Sequence, residues 1–227
     1  MSVSPLHLVQ QRIADAATAA GTAAPRLLAV AKTRDADAVA ALAEAMGART
    51  PRAVGENYVQ EAAGKIPALE ALEIEWHLIG HLQSNKAAQA AMLFDWVQTV
   101  DRAKLVPLLA AARPPHLPPL QLLLQVNIDD ESSKHGCRPD AVPALADLVA
   151  AQPRLALRGL MAIPAPQADD AARRPAFAAM RALFEALRSR HPGVDTLSMG
   201  MSDDLEAAIA EGATMVRVGT ALFGPRG

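Results

Sequence analysis

The chain alternates short apolar runs with longer segments in which apolar residues recur at helical spacing. A short apolar run bounded by polar or turn residues is typical of a buried strand, whereas apolar positions at i, i+3 and i+4 indicate an amphipathic helix. The pattern predicts a first helix over 5–20, with Leu6, Val9 and Ile13 on its apolar face. It then predicts eight strands, at 26–32, 53–57, 76–80, 95–100, 120–128, 157–163, 196–200 and 215–220.

Helical patterns fill most of the gaps between these strands. They cover 36–46, 58–72 with a break near Pro67, the segments after Ser84 and Asp101, 139–151, 171–190 and 203–211. Polar residues suited to capping a helix N-terminus precede several of them. These candidate caps are Thr33 or Asp35, Ser84, Asp101, Ser202 and Asp203. Two polar loops are predicted, at 129–138 and 164–170.

Strands that alternate with helices imply parallel pairing through right-handed crossovers. Eight strand–helix units are the number that closes a (β/α)8 barrel, which is the α/β fold predicted here, with one extra helix at the N-terminus. The alternative is an open doubly wound sheet. No G-x-G-x-x-G follows the first strand, which weakens a dinucleotide-binding version of that alternative. No internal repeat or linker divides the chain, so residues 1–227 are expected to form one domain.

Composition narrows the class of function. Hydrophobic residues make up 51% of 227 residues, which is enough for a sizeable core, and the formal net charge of −2 gives no electrostatic footprint for nucleic acid. Cys137 is the only cysteine, so an intrachain disulfide is impossible. No signal peptide and no apolar run of membrane-spanning length stands out. The expectation is a cytoplasmic protein without a membrane or nucleic-acid partner.

Polar residues stand at the predicted strand ends, where barrels of this kind carry their function. The first strand ends in Lys32, which either covers the strand end with its stem or does chemistry. The last two strands end in Ser198, Ser202, Arg217, Gly219 and Thr220. Phosphate sites in such barrels use the loops after strands seven and eight. Ser202 is equally suited to plain helix capping, so spacing alone leaves a phosphate site open.

Six ordered motifs resemble the pyridoxal phosphate homeostasis protein family over nearly the whole chain. They are Ala29–Thr33 (AVAKT), Gly55–Glu61 (GENYVQE), Trp76–Lys86 (WHLIGHLQSNK), Arg158–Ile163 (RGLMAI), Leu197–Asp204 (LSMGMSDD) and Arg217–Gly224 (RVGTALFG). The sequence departs from the family pattern at Ala31, where serine is common, and in the proline-rich link 113–119. The resemblance implies a single barrel similar to the N-terminal domain of alanine racemase, of the type called fold type III among proteins that use pyridoxal 5′-phosphate (PLP).

The resemblance also implies a role for each candidate residue. Lys32 would hold PLP as a Schiff base, and Arg217 would face the pyridine nitrogen. The phosphate would lie against Ser202, Gly219 and Thr220 with Ser198 close by, and Asn57 would line the cofactor. From the residues alone, Arg217 is equally compatible with an interior ion pair with Glu56 or Asp195, and Asn57 with a loop hydrogen bond.

The family has no established catalytic activity and is implicated in the homeostasis of vitamin B6 and amino acids. The resemblance therefore implies a PLP carrier, expected to be a monomer, whose partners are PLP and possible client enzymes that use it. Two alternatives are a PLP-dependent racemase and a Schiff-base aldolase. His77 and His81 straddle a strand end, a poor arrangement for a metal pair, and no metal ligand is predicted. The roles of His81 and of residues 83–86 stay open.

Overall fold

The computed structural model describes residues 4–47, 51–129, 131, 135–165 and 169–224. Eight parallel strands follow one another round a closed barrel in chain order. They are β1 (Arg26–Val30), β2 (Ala53–Glu56), β3 (Glu75–Leu78), β4 (Trp96–Val100), β5 (Leu120–Val126), β6 (Leu155–Ala162), β7 (Thr196–Ser198) and β8 (Met215–Val218). Because β8 pairs with β1, from Arg26 opposite Met215 to Ala29 opposite Val218, the predicted barrel is confirmed and the open sheet is excluded.

Helices connect the strands on the outside of the barrel. They are α1 (Pro5–Ala20), α2 (Ala36–Met46), α3 (Val59–Lys65), α4 (Ala87–Leu93), α5 (Leu105–Ala112), α6 (Val142–Ala150), α7 (Asp170–Arg190), α8 (Leu205–Ala210) and α9 (Thr220–Phe223). The predicted break near Pro67 is confirmed, because a 3-10 helix (Ile66–Leu72) takes over where α3 ends. The two predicted loops lie partly outside the described residues.

The extra helix α1 is defined at both ends by local signals. The Ser4 hydroxyl accepts the N–H of His7 at 3.2 Å, and Gly21 ends the helix in the left-handed conformation (φ 65°) that glycine adopts without strain. The apolar face predicted from the sequence is buried and packs against α8 and α9. The extra helix is therefore part of the wall that supports the last two strand–helix units.

Four of the predicted helix caps are wrong. Of the caps predicted from the sequence, only Asp35 caps its helix, α2, by accepting the N–H of Ala38 at 2.8 Å. The N-cap residues of α4, α5 and α8 are Lys86, Lys104 and Asp204, and none of them makes a side-chain capping bond. Of the residues predicted to cap these helices, Ser84 begins a 3-10 helix (Ser84–Lys86) that precedes α4, and Asp101, Ser202 and Asp203 lie in the loops before α5 and α8.

The buried apolar residues form one large core and two small clusters. The large core lies between the barrel and the helices, and two small clusters lie apart from it: Leu28, Ala53 and Met215 in one, Trp96, Leu123 and Met161 in the other. Several side chains that are buried on the strands are polar, among them Glu56, His77, Gln98, Ser198 and Arg217. A barrel interior that contains these groups requires a hydrogen-bond partner for each of them.

Seven of the eight strands end one or two residues earlier than the apolar runs predict, and β4 ends at Val100 as predicted. β1 ends at Val30 and β8 at Val218, so Lys32 and Gly219 lie in the loops that follow, and Thr220 is the first residue of α9. These loops stand at the carboxyl end of the barrel, where function is expected. Within the described residues, no helix combines the length and the apolar character needed to cross a membrane.

Candidate functional site

Six of the seven residues predicted from the sequence line one cavity of about 350 Å³ at the carboxyl end of the barrel. They are Lys32, Asn57, Ser202, Arg217, Gly219 and Thr220. The seventh, Ser198, is fully buried and lies outside the cavity wall. Barrels of this kind carry their function at the carboxyl ends of the strands. Closure of the barrel brings together there residues that are up to 188 positions apart, from Lys32 to Thr220.

Lys32 lies two residues beyond the end of β1. The backbone turns sharply after it, because Thr33 has a φ of 65°, a left-handed conformation that is rare for a β-branched residue. The Thr33 N–H is held by the Glu61 carboxylate at 3.3 Å. Lys32 itself is half-buried, and within the described residues its amine makes no hydrogen bond or ion pair. The turn thus presents an unpaired amine to the cavity.

A second lysine approaches the same strand end but is fully engaged. Lys65 reaches from α3 and places its Nζ 2.7 Å from Oε1 of Glu56 and 3.1 Å from the carbonyl oxygen of Ala31. Glu56 is completely buried at the end of β2. Burial raises the pKa of Glu56, and the hydrogen bond and charge of Lys65 only partly offset this. Lys65 therefore neutralises a buried acid, and Lys32 is the amine that is left free at this edge.

The opposite side of the cavity offers hydrogen-bond donors. Within the described residues, the hydroxyl groups of Ser202 and Thr220 and the backbone N–H groups of Ser202, Gly219 and Thr220 have no protein acceptor. Arg12 of α1 holds the loop by donating to the Ser202 carbonyl oxygen at 3.1 Å and to the Glu206 carboxylate at 3.0 Å. These free donors suit a group with several acceptor oxygens, such as a phosphate.

A side chain at position 219 would intrude on this arrangement. A Cβ atom there would lie 3.3 Å from the carbonyl oxygen of Val30, closer than an ordinary van der Waals contact. Gly219 therefore lets the turn after β8 pass close to the end of β1. That proximity places the donors of the Gly219–Thr220 turn and the Lys32 loop in one cavity.

Arg217 is almost completely buried, and two of its three nitrogens are committed to the protein. Nη1 donates to the carbonyl and hydroxyl oxygens of Ser198, both at 2.8 Å, and Nη2 donates to the carbonyl oxygen of Ala162 at 2.8 Å. Nε has no partner among the described residues and remains accessible at the cavity surface. Burial lowers the pKa of Arg217 to about 10, against the opposing charge of Asp204, so the guanidinium stays protonated at neutral pH.

The ion pair that the sequence allowed for Arg217 does not form. Glu56 pairs with Lys65, and Asp195 pairs with Arg158 near the amino-terminal ends of β6 and β7. Arg217 instead depends on neutral acceptors. Ser198, predicted to lie near a phosphate, contacts Arg217 and not the cavity.

A chain of hydrogen bonds continues from Ser198 through the interior of the barrel. The Ser198 hydroxyl donates to Oε1 of Gln98 at 2.7 Å, and Nε2 of Gln98 lies 2.9 Å from Nδ1 of His77. Nε2 of His77 lies 2.7 Å from Oε1 of Glu75, which also accepts a bond from Arg26 at 2.5 Å. This interior chain, from Arg217 to Glu75, links the cavity to the amino-terminal end of the strands.

The charges at the two ends give the interior chain one direction. Burial lowers the pKa of His77, so its ring is neutral at neutral pH. Burial alone would raise the pKa of Glu75, but its bonds to His77 and Arg26 lower it to about 2. An ionised carboxylate only accepts, so His77 donates through Nε2 and accepts through Nδ1. Every bond of the interior chain therefore donates away from Arg217 toward Glu75.

Asn57 and the residues after β3 stand close together because position 80 is a glycine. A Cβ on Gly80 would lie 2.0 Å from the carbonyl oxygen of Asn57, which no side chain allows. The Gly80 carbonyl oxygen in turn accepts the Thr99 hydroxyl at 2.8 Å. The Asn57 side chain makes no hydrogen bond within the described residues, so it does not act there as a loop hydrogen bonder.

Six further residues line the cavity that polarity-based reasoning missed: Val30, Arg34, Ile79, Ile163, Met201 and Asp203. Four are apolar and follow or end strands, so the strand-end rule finds them once it is applied to apolar residues as well. The exposed fraction is 40% for both Ile163 and Met201. These side chains form an apolar wall against which a ring could pack, which is typical of small-molecule sites.

The closed parallel barrel, with a free lysine after β1 and free donors after β7 and β8, can be compared with known classes of barrel proteins. The family model for the N-terminal domain of alanine racemase matches residues 6–227, so the chain belongs to that class of barrels. An alanine racemase from Clostridium difficile shares the fold with a TM-score of 0.69 at 13% identity, over 96% of this chain and 60% of the racemase.

Closer relatives narrow the class. The pyridoxal phosphate homeostasis protein of Pseudomonas aeruginosa is 54% identical over 96% of this chain and 93% of its own length. PipY from Synechococcus elongatus, solved with PLP bound, is 35% identical with a TM-score of 0.77, over 93% of this chain and 100% of PipY. The chain belongs to the pyridoxal phosphate homeostasis protein family.

Replacing Gln98 with methionine tests the interior chain. Gln98→Met keeps the side-chain length but leaves the buried Ser198 hydroxyl without its acceptor and the buried Nδ1 of His77 without its donor. We expect the free energy of unfolding, measured by urea denaturation, to fall by about 1–3 kcal/mol for each stranded group. The control is Gln10→Met on the exposed face of α1, which we expect to change it by less than about 0.5 kcal/mol. Equal effects of the two substitutions would contradict the interior chain.

Lys65→Met leaves Glu56 buried without its cation. We expect a loss of about 3–5 kcal/mol in the free energy of unfolding wherever Glu56 is ionised. The pKa of Glu56 in the folded state is already above the ordinary 4.5, and losing Lys65 raises it further. The folded variant therefore binds a proton more tightly than the unfolded chain does. Its stability is highest below the unfolded pKa and is lost as pH rises through the folded pKa.

Urea denaturation at several pH values between about 5 and 8 measures this dependence. The exposed Lys104→Met serves as the control, and its difference from the unmodified protein should not vary with pH in this way. A Lys65→Met variant whose deficit is the same at every pH would show that Glu56 does not depend on Lys65.

Proposed function

We propose that this protein binds PLP in the cavity at the carboxyl end of its barrel, holds it as a Schiff base on Lys32, and serves PLP homeostasis without catalysing a reaction. The observation that carries the proposal is that one cavity contains an unpaired amine, a set of unpaired donors and an apolar wall. PLP, when bound, supplies an aldehyde that condenses with an amine, a phosphate and an aromatic ring. Each has a counterpart among these residues.

The assignment of the phosphate to Ser202, Gly219 and Thr220 rests on their free donors. These three residues line one cavity, and within the described part of the chain their three backbone N–H groups and two hydroxyl groups have no protein acceptor. Hydrogen bonds to a charged acceptor are stronger than those between neutral groups. Asp203 also lines the cavity and is exposed, so its carboxylate must turn toward solvent when an anion binds. Ser198 serves this site through Arg217.

Arg217 supports the orientation of the ring. Its two Nη atoms are held by Ser198 and Ala162, so the accessible Nε–H has a fixed direction. A guanidinium only donates, so it would keep a facing pyridine nitrogen unprotonated. An unprotonated ring withdraws electrons less strongly, which disfavours the carbanion chemistry of most enzymes that use this cofactor.

The proposal of a carrier also rests on which acids and bases are present. Racemisation needs positioned proton donors on both faces of the substrate carbon. Among the described residues that line the cavity, none carries an imidazole, a phenol or a thiol, and Lys32 serves one face only. We further propose that residues 1–227 act as one domain and one monomer in the cytoplasm, passing PLP to enzymes that use it.

Lys32→Ala is expected to abolish covalent attachment of PLP. After incubation with PLP and reduction with borohydride, mass spectrometry of peptides should find the pyridoxyl group on Lys32 in the unmodified protein and only background labelling in the variant. The control is Lys86→Ala, since Lys86 lines a neighbouring cavity and has no protein partner within the described residues. Predominant labelling of another lysine in the unmodified protein would refute the role of Lys32.

The same preparation separates a carrier from an enzyme. The protein loaded with PLP is incubated with L-alanine in deuterated water, and deuterium at Cα and the D-isomer are measured. We expect neither to exceed one equivalent per protein chain. Exchange over many turnovers that disappears in Lys32→Ala would overturn the carrier function in favour of a racemase.

Replacing Ser202 and Thr220 together with alanine should weaken binding of PLP without unfolding the protein. Each hydroxyl group would contribute about 1.5–3 kcal/mol to binding a charged phosphate, and neither caps a helix through its side chain. Titration of the apoprotein with PLP gives the affinity, and urea denaturation gives the stability. The matched control replaces Ser189 and Thr18, two exposed hydroxyls that bond to carbonyls within helices. Unchanged affinity with lowered stability would indicate a structural role.

A further inference from the structure

Three loops meet beside the cavity just described. His81 follows β3, Asp101 follows β4 and His135 lies in the loop after β5. One ligand atom from each residue lies within 4.8 Å of the other two. Nδ1 of His81 is 3.5 Å from Oδ2 of Asp101, and the rings of His81 and His135 stack with their centroids 3.8 Å apart. Neighbouring loops at the carboxyl end of a barrel commonly supply the residues of one site.

The chemistry of these side chains matches a divalent transition metal. Imidazole nitrogen and carboxylate oxygen bind Zn²⁺ at about 2.0–2.2 Å. Two atoms bound to one ion are therefore at most about 4.4 Å apart, so separations of no more than 4.8 Å close with a small side-chain rotation. His81 and His135 are exposed and free to make that adjustment, while Asp101 is partly buried at the strand end. Three protein ligands leave open coordination positions on the ion, as in catalytic zinc sites.

Arg102 provides the supporting contacts that such a site requires. Nη1 of Arg102 binds Oδ1 of Asp101 at 2.5 Å, and Nη2 donates to the carbonyl oxygen of Leu82 at 2.7 Å. The carboxylate is thereby oriented through one oxygen, and Oδ2 is left to face His81. Outer contacts that orient the ligands in this way are a regular feature of metal sites. The same arginine fixes the loop that carries His81.

We propose that His81, Asp101 and His135 bind one divalent transition-metal ion, such as Zn²⁺. The ion would tie together the loops after β3, β4 and β5. His81 also lines a cavity of about 390 Å³ that shares Asn57 with the cavity containing Lys32. The metal site is thus adjacent to the PLP site but uses none of its residues. The spacing of His81 in the sequence does not indicate it, because the partners lie 20 and 54 residues away.

Metal titration of the full chain, purified without an affinity tag and treated with a chelator, tests the proposal. Zn²⁺ binding is measured by calorimetry, and Co²⁺ binding by its visible absorption, which reports the ligands directly. We expect one ion per chain. His81→Ala and His135→Ala should each weaken binding by more than about 100-fold, the upper limit for losing only a supporting contact. The control is His116→Ala, an exposed histidine outside the cluster.

Circular dichroism establishes that each variant is folded, and a rise in melting temperature on adding Zn²⁺ gives a second readout. The rise should be seen in the unmodified protein and in His116→Ala, and should be absent from the two cluster variants. Lys32→Ala should bind the metal normally, so failure of the PLP proposal leaves this one standing. Absence of saturable binding at micromolar Co²⁺, or equal binding by His81→Ala and the unmodified protein, would refute the site.

Discussion

The burial of Arg217 inside the barrel, where no carboxylate of the described residues forms a hydrogen bond or ion pair with it, is the constraint on which the site depends. A buried charge is costly unless hydrogen bonds satisfy it. Ser198 and Ala162 provide those bonds, and Ser198 in turn needs Gln98, which needs His77, which needs Glu75. The interior of the barrel is polar along this line because one cation at the cavity floor must be held in place. This arrangement leaves Nε of Arg217 as the guanidinium nitrogen that is accessible to the cavity.

The rest of the cavity is assembled from the edges of the barrel inward. The two lysines at this edge differ in their partners. Lys65 forms an ion pair with the buried Glu56, whereas Lys32 has no such partner within the described residues. On the far side, Arg12 of the extra helix holds the loop that carries Ser202. The Lys32 amine and the free donors of the loop that carries Ser202 are therefore held by different contacts, and a substitution at one of them should leave the other in place.

The carboxyl end of the barrel contains more than the cavity proposed to bind PLP. The loops after β2, β3 and β4 are linked by Thr99, Arg102 and the close contact of Gly80 with Asn57. These contacts hold His81 and Asp101 in place beside His135. The resemblance to the family accounts for the residues around Lys32 and Thr220. The metal site proposed for His81, Asp101 and His135 is inferred instead from contacts between loops.

Much of the fold and most of the candidate site followed from local sequence. The eight apolar runs and the helical spacing between them predicted the barrel, because side-chain periodicity is a local property. Six of the residues predicted from the motifs line one cavity. Helix caps were predicted poorly: Asp101 and Asp203 have the right chemistry beside a helix, but each lies in a loop before the actual N-cap. A cap depends on where the backbone turns, and packing of the loop decides that.

What the sequence could not determine is which polar group contacts which. Arg217 was compatible with Glu56 or Asp195, and only the closed barrel shows that Lys65 and Arg158 occupy those acids. Ser198 stood beside the phosphate motif, but the alternation of strand side chains turned it inward onto Arg217. His81, Asp101 and His135 had no common pattern. The sequence by itself determined the elements and the residue types at their ends, while the pairing of charges was decided by distances that only the tertiary fold creates.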